Sequence, residues 1–264
     1  MQRLLHIKSI RVICAGLAGC LSSPAASIFV QTNLASDVPG LAANTDSNLK
    51  NTWGSSFSAT SPFWISDQGA NVSTLYNVAG VPQALIVSTP PSPTGQVFDS
   101  STGANSFLLN NNVKATFIFD TLSGQIAGWN TGQGTTAQSV FTAMNGAVFT
   151  GLAIGNNGSA DLLYASDFAN GKIDVFDAKF NPTTLSGSFT DSNLPAGYSP
   201  YNIQTIGSSL YVEYDMVVNG RPSMVPNTGI VDVYDLNGNF VRRFATNADL
   251  NSPLGHHAGA FYVR

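Results

Sequence analysis

Asp167-Phe168-Ala169-Asn170-Gly171-Lys172-Ile173-Asp174-Val175-Phe176-Asp177 decides the fold. Leu163-Tyr164-Ala165-Ser166 before it is a short apolar strand. Asp167 to Gly171 is rich in residues that accept positive φ or bond their own backbone, so it predicts a turn. Ile173, Val175 and Phe176 then open a second strand, which makes a β-hairpin. The hairpin recurs along the chain.

Ten residues separate Asp167 from Asp177, Asp120 from Asn130 and Asp67 from Asn77. An apolar triplet leads into each copy: Leu163-Tyr164-Ala165, Phe117-Ile118-Phe119 and Phe63-Trp64-Ile65. An aromatic closes each: Phe176, Trp129 and Tyr76. A fourth copy carries an insertion between Tyr211-Val212-Glu213-Tyr214-Asp215 and Ile230-Val231-Asp232-Val233-Tyr234-Asp235. The leading aspartates stand 53, 47 and 48 residues apart. All-β repeats of roughly 40–50 residues are propeller blades. The expectation is an all-β β-propeller with about four visible four-stranded blades, and no helical period after residue 28.

Working outward, residues 1–27 read as a signal peptide. Arg3, Lys8 and Arg11 form a basic start, Val12 to Ala18 a short apolar core, and Pro24-Ala25-Ala26-Ser27 a small-residue cleavage zone. The core is too short to span a bilayer. Leu17-Ala18-Gly19-Cys20 also fits a lipobox, so Cys20 is a lipidation candidate beside soluble secretion. Both expectations place the chain outside the cell or in the cell envelope.

Residues 28–264 form the propeller domain, with Ile28-Phe29-Val30 as a possible terminal strand completing a blade. Both cysteines, Cys14 and Cys20, fall in the leader, which leaves the domain without a disulfide or a thiol nucleophile. Three of the eleven basic residues fall there too, leaving eight against fifteen acids. An acidic surface argues against nucleic acid as a partner.

The blades predicted are Asn51 to Val87, Thr94 to Phe141, Gly151 to Phe189 and Tyr201 to Phe244. Thr89-Pro90-Pro91-Ser92-Pro93 is expected to be a connection, since proline cannot pair inside a sheet. A fifth copy opens at Asn251-Ser252-Pro253-Leu254-Gly255 and stops within ten residues, which reads as a truncated frame.

Asn33-Leu34 with Asp37, Asn51-Thr52-Trp53-Gly54, Phe63 to Asp67, Gly151 to Ile154, Tyr164 to Asp177, Asn193 to Tyr198 and Asn202-Ile203-Gln204 together resemble an uncharacterised family of secreted bacterial β-propellers. That family is similar to NHL-repeat propellers. The resemblance implies six blades and an extracellular location, and it implies no activity. The family pattern would place Trp where Leu254 stands, followed by further blades, so the chain is expected to be a truncated six-bladed propeller.

Asp67, Asp120, Asp167 and Asp215 end the second strand of their blades on the face where ligands usually dock. As a rim they are the ligand-binding candidates, and four carboxylates there could collect calcium. The competing reading has each aspartate capping its own turn, which explains the recurrence better. Asn51, Asn156 and Asn202 are weaker channel candidates, set against plain loop asparagines. Trp53, Trp64 and Trp129 form either a sugar-stacking platform or packing between blades. No histidine falls within the repeats, which excludes a Ser-His-Asp triad. Asn71-Val72-Ser73 and Asn157-Gly158-Ser159 are glycosylation sequons.

The sequence points to an exported, monomeric binding or surface-interaction module with no cofactor and no catalytic residue. Its partner is an unidentified protein or carbohydrate. The alternative is a calcium-dependent hydrolase or lactonase at the channel mouth.

Overall fold

The computed structural model describes residues 32–223, 225–246 and 250. The expected strand Ile28-Phe29-Val30, the leader with Cys20, and the fifth copy at residues 251–264 lie outside them.

Two short strands, β1 (Ala35–Ser36) and β2 (Asn44–Thr45), pair with each other in parallel. They complete no blade. Their segment instead docks on the first blade, where Tyr76 donates its hydroxyl to Asp46 Oδ2 at 2.7 Å and Asn44 donates to the Ala79 carbonyl at 3.0 Å.

Four antiparallel sheets follow. The first is β3 (Thr52–Ser56), β4 (Phe63–Asp67), β5 (Val72–Tyr76) and β6 (Pro82–Ser88). The second is β7 (Pro93–Phe98), β8 (Phe117–Thr121), β9 (Gln125–Trp129) and β10 (Gln138–Thr142). The third is β11 (Phe149–Asn156), β12 (Asp161–Asp167), β13 (Lys172–Phe176) and β14 (Pro182–Thr183). The fourth is β15 (Tyr198–Ile206), β16 (Ser209–Val218), β18 (Ile230–Asp235) and β19 (Phe240–Thr246), with β17 (Arg221–Pro222) folding back on β16. Each sheet is an up-and-down meander in chain order, and the first strands of successive sheets lie side by side. These are four propeller blades. Among the described residues the helical content is one 3₁₀ turn, Thr131–Gln133.

Successive side chains of a strand point to opposite faces, and the blades pack through that alternation. Phe117 and Phe119 of β8 face the first blade, in one core with Trp64, Leu75 and Trp129. Ile118 faces the third blade, with Phe149, Leu163 and Phe176. On β12, Leu163 and Ala165 join that core, while Leu162 and Tyr164 join the next one with Leu210, Val212 and Tyr234. A strand buried on both faces needs a continuous apolar run, which is why the triplets were conspicuous in the sequence.

Two boundaries differ from expectation. Pro93 is not part of a connection; it opens β7 opposite Thr121, a first-residue place that proline tolerates. Leu185 to Phe189 is not the third blade's outer strand. Gly187 and Phe189 donate to the carbonyls of Asn237 and Gly238 in the fourth blade's β18–β19 turn, so the segment bridges blades.

Candidate functional site

Every inner strand carries a register shift at its start. The shifts fall between Thr52 and Ser55, Pro93 and Gln96, Phe149 and Leu152, and Pro200 and Asn202. Extra residues there push the strand out of its ladder, a device that gathers at functional sites. The residues involved are Trp53-Gly54, Thr94-Gly95, Thr150-Gly151 and, in the fourth blade, Tyr201, which Asn202 follows back in register with Glu213.

Glycine at these places lets neighbouring inner strands touch. A methyl on Gly54 would stand 2.5 Å from the Thr94 carbonyl oxygen. One on Gly95 would meet the Leu152 nitrogen at 2.3 Å, and one on Gly151 the Asn202 Oδ1 at 2.1 Å. The first members of the pairs do different work. Trp53 is half-buried and meets Tyr201 at 5.9 Å between ring centroids; Tyr201 in turn meets Phe168 edge-on at 5.5 Å. Burial, with the nearby Asp215 charge, pushes the Tyr201 phenol up to about 12. Trp64 and Trp129 are buried, 4.7 Å apart, and Trp64 stacks on Phe117 at 4.2 Å. They are packing between blades, which leaves Trp53 as the partly exposed tryptophan of the three.

The four predicted aspartates are all buried, and they do not share one face of their sheets. Register shows why. Phe63 pairs with Tyr76, Phe117 with Trp129, Leu163 with Phe176 and Leu210 with Tyr234. Counted from these pairs, Asp67 and Asp167 are equivalent, Asp120 comes one place early and Asp215 one place late. A one-residue offset turns a side chain to the other face of its sheet. Among the described residues no three His, Cys, Asp or Glu come together in a metal-binding group. Calcium takes about six to eight oxygens, and these four carboxylates do not supply such a set.

Turn capping belongs mainly to the other end of the ten-residue spacing. Asn77 Oδ1 accepts from the Ala79 and Val81 amides, Asn130 Oδ1 from Gly132, Asp177 Oδ1 from Lys179 and Asn181, and Asp235 Oδ1 from Asn237 and Asn239. Burial would raise the Asp177 and Asp235 carboxyls, but these amide donors hold both below the ordinary value. Of the leading aspartates, Asp167 bonds its own turn, accepting from the Asn170 amide at 3.3 Å, and also from Val148 at 3.1 Å. Asp67 Oδ2 instead accepts from Thr74 Oγ1 at 2.6 Å, and Asp120 Oδ1 contacts Thr94 Oγ1 at 2.7 Å. Burial pushes both carboxyls from 3.8 up to about 7.

Asn51 and Asn156 are exposed and held by Gln68 and Asp161, whereas Asn202 lies at the inner strands against Gly151. The bulge pairs escaped the sequence reading because they align only once strand register is known. Their trace is a Thr or aromatic followed by Gly or Asn at each inner-strand start.

The chain matches no protein-family model. It is similar to uncharacterized proteins of Acanthamoeba polyphaga mimivirus. One is 30% identical over 241 residues, covering 83% of this chain and 58% of the relative. Another is 37% identical over 116 residues, covering 41% of this chain and 30% of the relative. These relatives are viral, where a bacterial family was expected. Among solved structures, Kuenenia stuttgartiensis hydrazine synthase matches with a TM-score of 0.50 and 16% identity, over 80% of this chain and 53% of that chain. A streptogramin B lyase matches with a TM-score of 0.43 and 14% identity, over 71% of this chain and 55% of that one. The chain therefore spans between 30% and 58% of the length of the viral relatives it matches, and the hydrazine synthase likeness is one of propeller-like fold alone.

Proposed function

We propose that this propeller is an exported binding module whose ligand docks at the end of the blades where the inner strands bulge. The observation that carries the reading is the Trp53–Tyr201 pair. A half-buried indole set against a buried phenol, on strands locked by glycine contacts, offers a rigid apolar face. Such a face suits the ring of a carbohydrate, and Thr94 and Thr150, buried at the equivalent bulges, are anchored on the Phe149 and Ser166 carbonyls. Screening the full chain and Trp53→Ala on an immobilised oligosaccharide array tests this. Binding that Trp53→Ala loses supports the reading; wild-type binding that survives the substitution refutes it.

Export rests on the basic start, the short apolar core and the small-residue zone of residues 1–27. Among the described residues no helix is long and apolar enough to cross a membrane. Intact mass of protein from its native host should show loss of at least the segment before Cys20, with an acylated Cys20 if the lipobox is used. Retention of Met1 would defeat the proposal.

A further inference from the structure

The Thr94 hydroxyl lies 2.7 Å from Asp120 Oδ1 on its own blade and 2.8 Å from the Phe149 carbonyl oxygen on the next. A hydroxyl has one proton to give, and a carbonyl can only accept. If Thr94 donates to Phe149, its contact with Asp120 needs a proton from the carboxyl. We propose that Phe149, Thr94 and Asp120 form a proton-counted joint between the second and third blades, closed while Asp120 is protonated and loosened once it ionises. In the closed form the Asp120 O–H donates to Thr94 Oγ1, and Thr94 donates to Phe149. On ionisation the Asp120 proton leaves to solvent, the Thr94 hydroxyl turns to the carboxylate, and the Phe149 carbonyl loses that donor.

The surroundings leave this proton undecided by any counter-charge. Thr94 and Gly95 face Asp120 from β7, Ile126 stands opposite on β9, and Gly151-Leu152 of β11 close over Gly95. None is charged. Asp120 is fully buried and its Oδ2 has no hydrogen-bond partner among the described residues. Burial raises its carboxyl, while the Thr94 hydroxyl, the Gly95 amide and its own amide favour the ionised form. The equivalent place on the first blade holds Ser66, an uncharged donor to Gln96 Oε1 at 3.1 Å, so the first joint lacks this sensitivity.

Hydrogen exchange of peptides spanning β7 and β11 tests the joint, with rates at pH 5.5 and pH 8 corrected for intrinsic chemistry. The wild-type chain and Thr94→Ser should exchange roughly tenfold faster at pH 8, one pKa unit being tenfold in the balance. Asp120→Asn, whose amide keeps donating to Thr94, should lose most of the difference, keeping only what Asp67 adds through global opening. Thr94→Val should also lose the difference, which decides the matter if Asp120→Asn does not fold. Equal rates in the wild type, or the full difference persisting in Asp120→Asn or Thr94→Val, would overturn the proposal.

Discussion

Gly95 abuts Leu152 so closely that a methyl on its Cα would lie 2.3 Å from the Leu152 nitrogen, with the Asp120 carboxyl 2.9 Å away on the other side. Both obstacles are fixed, one being backbone and the other a fully buried side chain. Gly95→Ala should therefore destabilise the chain by about 1–3 kcal/mol or more, the usual cost of overpacking. Gly134→Ala meets no atom within 4 Å and bears only its positive φ. Urea unfolding of the two variants should rank Gly95→Ala as the more damaging; equal midpoints would mean the inner strands can part at little cost.

The apolar runs were legible because each second strand is buried on both faces. Phe117-Ile118-Phe119 had to be continuous, with alternate residues serving different cores. The aspartate rim was not legible, because a spacing of ten spans a hairpin whose length varies. β4 and β5 are joined between Asp67 and Val72, β8 and β9 between Thr121 and Gln125. That one-residue difference moves Asp120 to the opposite face from Asp67 while preserving the count. The bulges are tertiary devices, placed by contact between blades, and a single glycine carries little sign of them.

Stability should fall between pH 5 and pH 8. Asp67 and Asp120 have folded values of about 7 against an ordinary 3.8, so in that window the folded chain holds protons that the unfolded chain has released. Their stabilisation is complete below the ordinary value, falls by about 1.4 kcal/mol per unit for each group from there to about 7, and levels off above it. Thermal melts of Asp67→Asn should show a shallower decline than wild type. A wild-type melting temperature that rises from pH 5 to 8 would contradict the assignment.

Arg243 joins two buried acids, Asp232 of the fourth blade and Asp191 of the segment that leads into it. Its Nε donates to Asp232 Oδ1 at 2.8 Å and its Nη2 to Asp191 Oδ2. Arg243→Met leaves both carboxylates without their cation and should cost about 3–5 kcal/mol. Arg243→Lys should restore little of it, since one ammonium lacks the fork that reaches both partners. Chemical denaturation of the two variants checks this, and a loss under 1 kcal/mol for Arg243→Met would count against it.

Trp64 and Trp53 should separate stability from binding. Trp64→Ala empties the core shared with Phe117 and Trp129 and should cost about 3–5 kcal/mol. Trp53→Ala should cost about 1 kcal/mol or less, leaving a folded chain whose ligand affinity can be read. A severe loss of stability in Trp53→Ala would recast that residue as core.

The central claim, that the bulged end around Trp53 and Tyr201 is the binding face, is tested most directly by hydroxyl-radical footprinting of the tryptophans with and without an array-selected oligosaccharide. Trp53 should be oxidised in the free chain and protected in the complex, while Trp64 and Trp129 stay unreactive in both. Trp53 as inert as Trp64 in the free chain, or oxidised equally with ligand bound, would contradict it.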